Sequence, residues 1–247
     1  MTQGVPRAAT DPFRPLGALR ILDLPSPNRE ARPAGAVIDT LILHYTGMRS
    51  GADAIARLRD PVAIVSAHYV VEEDGEVFRL VPEAMKARHA GVSHWRGASA
   101  LNDTSIGIEV VNPGHEHGYR PFPALQMAAV ADLCLEVLAR NPAIRPHGVV
   151  GHSDVAPDRK QDPGELFDWR GLASLRIGVW PDEGAATSDG PPRADPLEML
   201  SEIGYRTDLP LPLLVTAFQR RWMPERVDGV VGPAVLGRMR SVLRALR

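Results

Sequence analysis

The chain has 247 residues, 44% of them hydrophobic, and a formal net charge of -2 at pH 7. This length suits one medium domain followed by a small one, and it allows a sizeable buried core. The near-neutral charge gives no electrostatic case for a nucleic-acid partner or an anionic membrane surface. No apolar run reaches the roughly 18 residues of a transmembrane helix, so no transmembrane segment is expected.

Composition and periodicity divide the chain into four parts. Residues 1–35 are rich in Pro, Arg and Ala and predict an irregular N-terminal arm. Residues 36–181 alternate strand-like and helix-like patterns and predict the main domain. Residues 182–196 have the composition of a linker. Residues 197–247 carry three short helical patterns and predict a small helical domain.

Apolar runs and helical stripes within the main domain predict an α/β fold. The run at residues 36–44 is typical of a strand covered on both faces, and Glu73-Asp-Gly75 predicts a hairpin turn. The predicted elements, in chain order, are strand 36–44, helix 53–59, strands 67–71 and 76–81, a long loop over 82–104, strand 106–111, helix 123–141 and strand 148–151. In the C-terminal part, helices are predicted at 197–203, 211–222 and 233–246. This order indicates a central mixed β-sheet flanked by helices, followed by a small three-helix domain.

Two further features bear on where the protein works. Cys134 is the single cysteine, so no internal disulfide can form, and its place on the apolar stripe of helix 123–141 predicts a core residue. The first ten residues lack the apolar stretch of a secretory signal. We therefore expect a cytoplasmic protein, with the periplasm or cell envelope as the alternative.

Three residues at or after strand ends could hold a metal ion: His44, His152 and Asp162. Catalytic zinc is commonly held by two histidines and a carboxylate, with one position left open for water. Strand ends hold side chains rigidly beside a cleft, as ligand sites in open α/β sheets do. A strand-end histidine taken alone is nevertheless more often a hydrogen-bonded structural residue.

The segment before Pro163 predicts which side chains share a face. A residue that precedes proline is biased towards extended geometry, and residues two apart in an extended segment point the same way. Lys160 and Asp162 should therefore point to one side, and Arg159 and Gln161 to the other.

Two more charged residues are candidates for chemistry. Glu109 interrupts the apolar run at 106–111, and a half-buried carboxyl has its pKa raised by desolvation, which suits a general base. Lys160 could supply positive charge to the oxyanion that forms when water attacks a carbonyl. The alternatives are a buried ion-pair partner for Glu109 and a solvated position for Lys160. His68 is predicted to be a core histidine, and three others, His115, His117 and His147, are predicted to lie at the surface.

With these residues in view, residues 36–181 resemble the zinc-dependent N-acetylmuramoyl-L-alanine amidases of the AmpD/AmiD type. Their superfamily also contains the peptidoglycan recognition proteins. The matching stretches are Leu41-Ile-Leu-His-Tyr-Thr46, Ser66-Ala-His-Tyr-Val-Val71, His89-Ala-Gly91, Ser93-His-Trp95, Asn102-Asp-Thr-Ser-Ile-Gly-Ile-Glu109, Gly151-His-Ser-Asp-Val-Ala-Pro157 and Lys160-Gln-Asp-Pro-Gly164. Residues 26–33 also resemble the lead-in of the AmiD type.

The resemblance implies a role for each candidate. His44, His152 and Asp162 would be the zinc ligands, Glu109 the catalytic carboxylate and Lys160 the stabiliser of the transition state. It implies a zinc hydrolase that cleaves the amide between N-acetylmuramic acid, or its 1,6-anhydro form, and L-alanine of the stem peptide. The partners would then be muropeptides or polymeric peptidoglycan, met in cell-wall recycling or remodelling.

Other positions matched by the resemblance concern the substrate cleft. His89 and Trp95 align with the region expected to border the substrate, which implies substrate contacts. Some phage relatives carry a catalytic tyrosine where this chain has Ala67, so the route through Glu109 is the one available here.

The C-terminal part resembles the three-helix peptidoglycan-binding-like domain, through Phe218-Gln-Arg-Arg and Val227-Asp-Gly-Val-Val-Gly-Pro233. The alternative is a domain that only packs or dimerises, because a fold does not guarantee a ligand. Two rivals to the zinc amidase remain open. One is a non-catalytic muropeptide binder, and the other is a zinc peptidase that cuts inside the stem peptide.

Overall fold

The computed structural model describes residues 19–181 and 195–247, and within these ranges a six-stranded mixed β-sheet lies between helices. The predicted α/β class is confirmed, with three helices after the linker position. The strands are β1 (Ile21–Asp23), β2 (Arg29–Ala31), β3 (Thr40–Tyr45), β4 (Tyr69–Val71), β5 (Val77–Arg79), β6 (Met85–Ala87), β7 (His94–Trp95), β8 (Ala98–Ser99), β9 (Ser105–Val110) and β10 (Val149–Gly151). The α-helices are α1 (Gly51–Arg59), α2 (Gly114–His117), α3 (Ala124–Arg140), α4 (His152–Val155), α5 (Trp169–Ser174), α6 (Pro196–Ile203), α7 (Leu211–Trp222) and α8 (Pro233–Ala245).

The register of three parallel strands determines where the site lies. The strand order is β1-β5-β4-β9-β3-β10, and β9, β3 and β10 run parallel. His44 of β3 pairs with Glu109 of β9, while Leu43 pairs with Gly151 of β10. Because parallel strands end at the same edge, His44, Glu109 and His152, the residue after β10, reach neighbouring positions there.

The two faces of the sheet are covered by different helices. Leu43 faces the cluster that contains Cys134 and other residues of α3, as the apolar stripe of that helix predicts. Ile42 and Val150 belong to a second cluster, which includes buried residues of α6, α7 and α8. Since residues two apart in a strand share a face, His44 lies on the same side as Ile42. The C-terminal helices therefore cover the face that carries this histidine.

The N-terminal segment differs from the predicted irregular arm. Within residues 19–35, β1 pairs parallel to β5 and β2 pairs antiparallel to β6. Ser26 Oγ donates to the carbonyl oxygen of Leu58 at 2.6 Å, which ties this segment to α1. Each strand has only three residues, too few for periodicity to be recognised in the sequence. The remainder of the predicted arm, residues 1–18, and residues 182–194 of the predicted linker lie outside the described residues.

Element boundaries follow the sequence to within a few residues in most places. The strand predicted at 36–44 begins only at Thr40, and the loop predicted over 82–104 contains the short strands β6, β7 and β8. The helix predicted at 211–222 has those bounds in the structure. Across 19–181 and 195–247, no helix combines the length and the hydropathy needed to cross a membrane.

Candidate metal centre and active site

Three buried side chains converge at the carboxyl edge of the sheet. His44 comes from β3, His152 from the start of α4, and Asp162 from the loop after α4. Nδ1 of His44 lies 2.9 Å from Nδ1 of His152 and 3.0 Å from Oδ2 of Asp162. Nδ1 of His152 lies 2.9 Å from the same carboxylate oxygen. The fold thus brings the three predicted ligands into one cluster, although 108 residues separate the two histidines.

The second nitrogen of His152 determines its tautomer. Nε2 lies 3.1 Å from the carbonyl oxygen of Ala90, which can only accept a hydrogen bond. Nε2 therefore carries the proton, and Nδ1 keeps its lone pair. Hydrogen bonds of this kind orient metal-ligating histidines and set which nitrogen binds.

A chain of hydrogen bonds through His89 orients His44 in the same way. Ser105 Oγ donates to the carbonyl oxygen of Leu101 at 2.5 Å, so it accepts from Nε2 of His89 at 3.2 Å. Nδ1 of His89 is then free to accept the Nε2 proton of His44 at 3.0 Å. Because the chain ends on a carbonyl, it runs in one direction and leaves Nδ1 of His44 unprotonated.

His89, one of the two predicted substrate contacts, lines the cavity but is largely enclosed by protein. Its exposed fraction is 8%, and both of its ring nitrogens have protein partners. Gly107 makes room for it, since a Cβ at position 107 would lie 2.4 Å from Cγ of His89. A small residue in β9 thus allows the imidazole to lie against the sheet and support His44.

Trp95, the other predicted substrate contact, does not line the cavity beside the cluster. Its indole Nε1 donates to the carbonyl oxygen of His147 at 3.0 Å. Its ring packs edge-on against Tyr205, with ring centroids 5.1 Å apart. Burial under the C-terminal helices removes this large apolar ring from water, and only the tertiary structure brings those helices to it.

The protonation states of the cluster suit a metal. Burial, followed by the neighbouring His152, lowers the pKa of His44 to about 4, which favours the neutral imidazole. Burial disfavours the ionised form of Asp162, but the neighbouring imidazoles of His152 and His44 outweigh it. They hold the pKa of this carboxyl far below its usual range. Metal binding requires a neutral imidazole and an ionised carboxylate.

The donor set and its spacing fit zinc. Two imidazole nitrogens and one carboxylate oxygen form the ligand set of many open catalytic zinc sites. Tetrahedral bonds of about 2.0–2.1 Å place ligand atoms roughly 3.3 Å apart, close to the 2.9–3.0 Å separations found here.

Glu109 stands beside this cluster at the cavity wall. Its Oε2 atom is buried, and no hydrogen bond reaches it from the described residues. Burial, and then the charge of Asp162, raise the pKa of Glu109 well above its usual value, while Lys160 acts in the opposite direction. An unpaired buried carboxyl oxygen of this kind is able to accept a proton.

A cavity of about 350 Å³ opens over the cluster, at the lower end of the range for ligand pockets. Glu109, His152, Lys160 and Asp162 all line it. Within residues 19–181 and 195–247, no ion pair or side-chain hydrogen bond engages the Lys160 ammonium. Its charge therefore remains available to a molecule in the cavity.

The segment around Lys160 is not extended, contrary to the prediction from Pro163. The backbone N–H groups of Arg159 and Lys160 both donate to the carbonyl oxygen of Ala156, at 3.2 and 3.0 Å, so the chain turns there. As a result, Arg159, Lys160, Gln161 and Asp162 all line the cavity rather than alternating. Local hydrogen bonding overrides the two-residue alternation.

Of the histidines predicted to lie at the surface, His115 instead belongs to the cavity wall. It lines the cavity, with Nδ1 3.0 Å from the hydroxyl of Tyr45 and Nε2 3.1 Å from Oε1 of Glu165. The available sequence signal was indirect: Tyr45, which contacts His115, directly follows the predicted ligand His44. His68 is fully buried, as predicted, and its Nδ1 accepts the backbone N–H of Gly107 at 2.9 Å.

Comparison with known families assigns the chain to a class. Residues 34–165 match the family model described as N-acetylmuramoyl-L-alanine amidase. This range is more than half of the chain and includes the whole cluster, Glu109 and Lys160. The chain belongs to the N-acetylmuramoyl-L-alanine amidase family.

Individual relatives of this family member extend the likeness beyond that range. It is 38% identical over 226 residues to the N-acetylmuramoyl-L-alanine amidase AmiD of Escherichia coli strain K12, covering 81% of this chain and 80% of AmiD. It is 35% identical over 174 residues to the 1,6-anhydro-N-acetylmuramyl-L-alanine amidase AmpD of that strain, covering 62% of this chain and 89% of AmpD.

Solved structures of two amidases resemble this family member as well. Escherichia coli AmiD, in complex with the substrate anhydro-N-acetylmuramic acid-L-Ala-D-gamma-Glu-L-Lys, has a TM-score of 0.74 at 33% identity and covers 86% of this chain and 92% of its own. Pseudomonas aeruginosa AmpDh3, in complex with anhydromuramic pentapeptide, has a TM-score of 0.76 at 33% identity and covers 86% and 94%.

Proposed function

We propose that this chain hydrolyses the amide between N-acetylmuramic acid, or its 1,6-anhydro form, and L-alanine of the peptidoglycan stem peptide. The observation that carries the proposal is the cluster of His44, His152 and Asp162, in a member of the amidase family, beside a cavity that Glu109 also lines. The muropeptides bound by AmiD and AmpDh3 support this substrate class. The reaction would serve cell-wall recycling or remodelling.

The proposed resident metal is Zn²⁺, with His44 Nδ1, His152 Nδ1 and an oxygen of Asp162 as its ligands. A zinc ion supplies Lewis acidity, which lowers the pKa of water to about 7 and polarises a carbonyl. The hydrogen bonds to Ala90 and His89 keep both Nδ1 atoms unprotonated for this purpose.

Glu109 is the proposed general base and acid. Its raised pKa and its unpaired Oε2 suit it to take a proton from the attacking water as the carbon–oxygen bond forms. The same proton then passes to the amide nitrogen as the carbon–nitrogen bond breaks. The remaining proton of the attacking water passes from the new carboxyl group to the released amine, so the products are a muramic acid carboxylate and a stem peptide with a free L-alanine ammonium group.

Lys160 is the proposed stabiliser of the oxyanion. Among the described residues no ion-pair partner meets its ammonium group, and its charge acts on both Glu109 and His44. A positive charge aimed at a developing oxyanion is a large source of rate enhancement. Arg57, Arg88 and Arg159 also line the cavity, which favours a substrate with carboxylates such as those of a stem peptide.

The test is a product analysis with a defined muramoyl-peptide. The purified protein is incubated with and without a chelator, and product masses are read. Release of the intact stem peptide from the sugar, lost with chelator and restored by zinc, is the expected result. A Glu109→Gln protein that still binds zinc serves as the matched control and should release little product.

The rival functions give different results in this assay. Cleavage inside the stem peptide would identify a zinc peptidase. Absence of cleavage with zinc bound, on both soluble fragments and polymeric wall, would identify a muropeptide binder. The complete set of His44, His152, Asp162, Glu109 and Lys160 favours the enzyme, because a binder needs no such set.

The C-terminal helices and the cellular location are also proposals. The three helices α6, α7 and α8 match in number the three helices predicted for a peptidoglycan-binding-like domain. A sedimentation assay with polymeric peptidoglycan tests whether this region binds the polymer. Fractionation of cells that express the full-length natural gene tests the cytoplasmic location against the envelope.

A further inference from the structure

Two neighbouring arginines of α7, Arg220 and Arg221, reach the segment 151–165 that contains His152 and Asp162. We propose that α7 is a positioning element for the metal centre, in which Arg221 acts through Asp154 to hold His152 in place. The inference rests on the proposed function only in taking zinc as the resident metal. A role in glycan binding does not account for these contacts.

Asp154 is the buried centre of the contact. Its side chain is 0% exposed, and that of Arg221 is 4% exposed. Oδ2 of Asp154 accepts from Nη1 of Arg221 at 2.6 Å and from the backbone N–H of Gly151 at 2.8 Å. Oδ1 accepts from the hydroxyl of Tyr205 at 2.6 Å. Asp154 therefore joins the residue directly before His152 to two residues of the C-terminal region.

Arg221 fixes the other end of the same short strand. Its Nη2 donates to the carbonyl oxygen of Val149 at 2.9 Å, in β10. Its guanidinium lies 4.2 Å from the ring centroid of Trp169 and 4.4 Å from that of Trp222. The planar guanidinium group is thus held by rings and hydrogen bonds together, a geometry that lysine cannot reproduce. Through Asp154 and Val149, Arg221 determines the position of β10, which delivers His152.

A hydrogen bond also links α4 to the loop that contains the third ligand, Asp162. The backbone N–H of Ser153 donates to the carbonyl oxygen of Asp162 at 2.8 Å, so α4 and the Asp162 loop move together. Nearer the end of the segment, Nε of Arg220 lies 3.4 Å from Oε2 of Glu165. Both arginines of α7 therefore hold the ligand-bearing segment, Arg221 at its start and Arg220 near its end.

The buried Arg221–Asp154 pair contributes more to the orientation of the metal ligand His152 than to the stability of the fold. A buried ion pair contributes little net stability relative to well-packed apolar side chains, because desolvation offsets the attraction. The directional hydrogen bonds of Asp154, in contrast, determine where the backbone before His152 lies. Groups that hydrogen-bond metal ligands directly are typically worth about 10- to 100-fold in metal affinity, which sets the scale for this support through the backbone.

The experiment compares zinc affinity among variants of the full chain. Arg221→Met removes the guanidinium, Arg221→Lys keeps only its charge, and Tyr205→Phe removes one hydroxyl and leaves the pair intact. Arg226→Met is the matched control, since Arg226 is an exposed arginine of the same region that pairs with the exposed Asp228 at 2.7 Å and not with the ligand-bearing segment 151–165. Zinc dissociation constants are measured by competition with a chromophoric chelator, and thermal unfolding is followed with and without zinc.

The expected result is a zinc dissociation constant raised about 10- to 100-fold in Arg221→Met, and less in Arg221→Lys and Tyr205→Phe. The unfolding-temperature increase produced by zinc should shrink accordingly, because that increase depends on affinity. The visible spectrum of the Co²⁺-substituted variants should change, whereas that of Arg226→Met should match the wild type. At saturating zinc, kcat should recover towards the wild-type value with KM unchanged.

A purely structural role predicts a different pattern. The metal-free variants would unfold at lower temperature, but their zinc dissociation constants and Co²⁺ spectra would equal those of the wild type, and this would overturn the proposal. If Arg221→Met does not fold, the same comparison on Arg221→Lys and Tyr205→Phe decides the matter. Unchanged zinc affinity together with muramoyl-amide cleavage by the wild type counts against the positioning role alone. A wild type without zinc affinity counts against the proposed function as well.

Discussion

Substitution of Gly107 by alanine tests whether His89 supports the metal centre. A Cβ at this position would lie 2.4 Å from Cγ and 2.5 Å from Nδ1 of His89, whereas ordinary contacts are 3.4–4 Å. The imidazole would have to withdraw by about 1 Å, since the backbone of β9 is held in the sheet. Such a shift breaks the 3.0 Å hydrogen bond between His89 and His44.

The expected effect of Gly107→Ala has two parts, one on stability and one on zinc affinity. Overpacking of a tight site costs about 1–3 kcal/mol, which lowers the unfolding temperature of a chain this size by roughly 2–12 °C. Loss of the partner of His44 should raise the zinc dissociation constant about 10- to 100-fold. Thermal unfolding of the metal-free protein measures the first effect, and chelator competition measures the second.

Two companion variants separate these effects. Adding His89→Ala to Gly107→Ala removes the clash, so stability should recover in part while zinc affinity stays low. Gly237→Ala makes the same change in α8, where a Cβ would meet nothing within 4 Å. It should be neutral or stabilise the protein by about 0.5–1 kcal/mol. Wild-type stability and zinc affinity in Gly107→Ala would refute the assigned role of His89.

Three further substitutions have directions that follow from the structure. Glu109→Gln should keep zinc bound but lower kcat by roughly 10²–10⁴-fold, and wild-type turnover would exclude Glu109 as the base. Asp162→Ala should lose zinc and activity together, as metal analysis and the cleavage assay would report; full activity without metal would contradict the zinc mechanism. Burial opposes ionisation of Glu83, but hydrogen bonds from Arg140, Tyr69 and Asn141 outweigh it and lower the pKa of that carboxyl below 4.5. When the pKa of a carboxyl is lower in the folded state than in the unfolded state, its ionisation stabilises the fold at pH values above the unfolded-state pKa. This contribution is lost as the pH falls through the folded-state pKa. The stability advantage of wild type over Glu83→Gln in urea unfolding should therefore shrink between pH 6 and about pH 3, and a pH-independent difference would contradict this assignment.

The metal cluster could be predicted because its signals are local. His44 and His152 lie where apolar strand-like runs end, and strand ends at one edge of a parallel sheet meet at a cleft. Glu109 could be recognised because burial of a carboxylate within an apolar run costs free energy. Its presence there therefore indicates a function. In each case a short stretch of sequence carries both the residue and the reason for its position.

The protein partners of His89 and Trp95 could not be predicted in this way. Alignment with a cleft-bordering region does not show which side of the loop each ring faces. His89 turns inward because Gly107 leaves space in β9, and Trp95 turns away because Tyr205 packs against it. The partners come from elsewhere in the chain, and no local pattern reports them.

One feature of the sequence weakly indicated that α7 has a buried polar contact with another part of the chain. Arg221 lies on the apolar stripe of its helix, between buried Phe218 and Trp222, and a charged residue there requires a buried partner. Which residue that partner is could not be read from the helix. Asp154 lies 67 positions earlier, and only packing of the C-terminal helices on the sheet brings the two together.

The sequence by itself determined the α/β class, the positions of the main strands and helices, and the identity of the cluster residues, because apolar periodicity and strand-end polarity are properties of short segments. The tertiary structure decided which nitrogen of each histidine faces the centre, which histidines support the site, and how the C-terminal helices hold it. These features depend on contacts between distant segments, and such contacts form only when the faces of the sheet are covered.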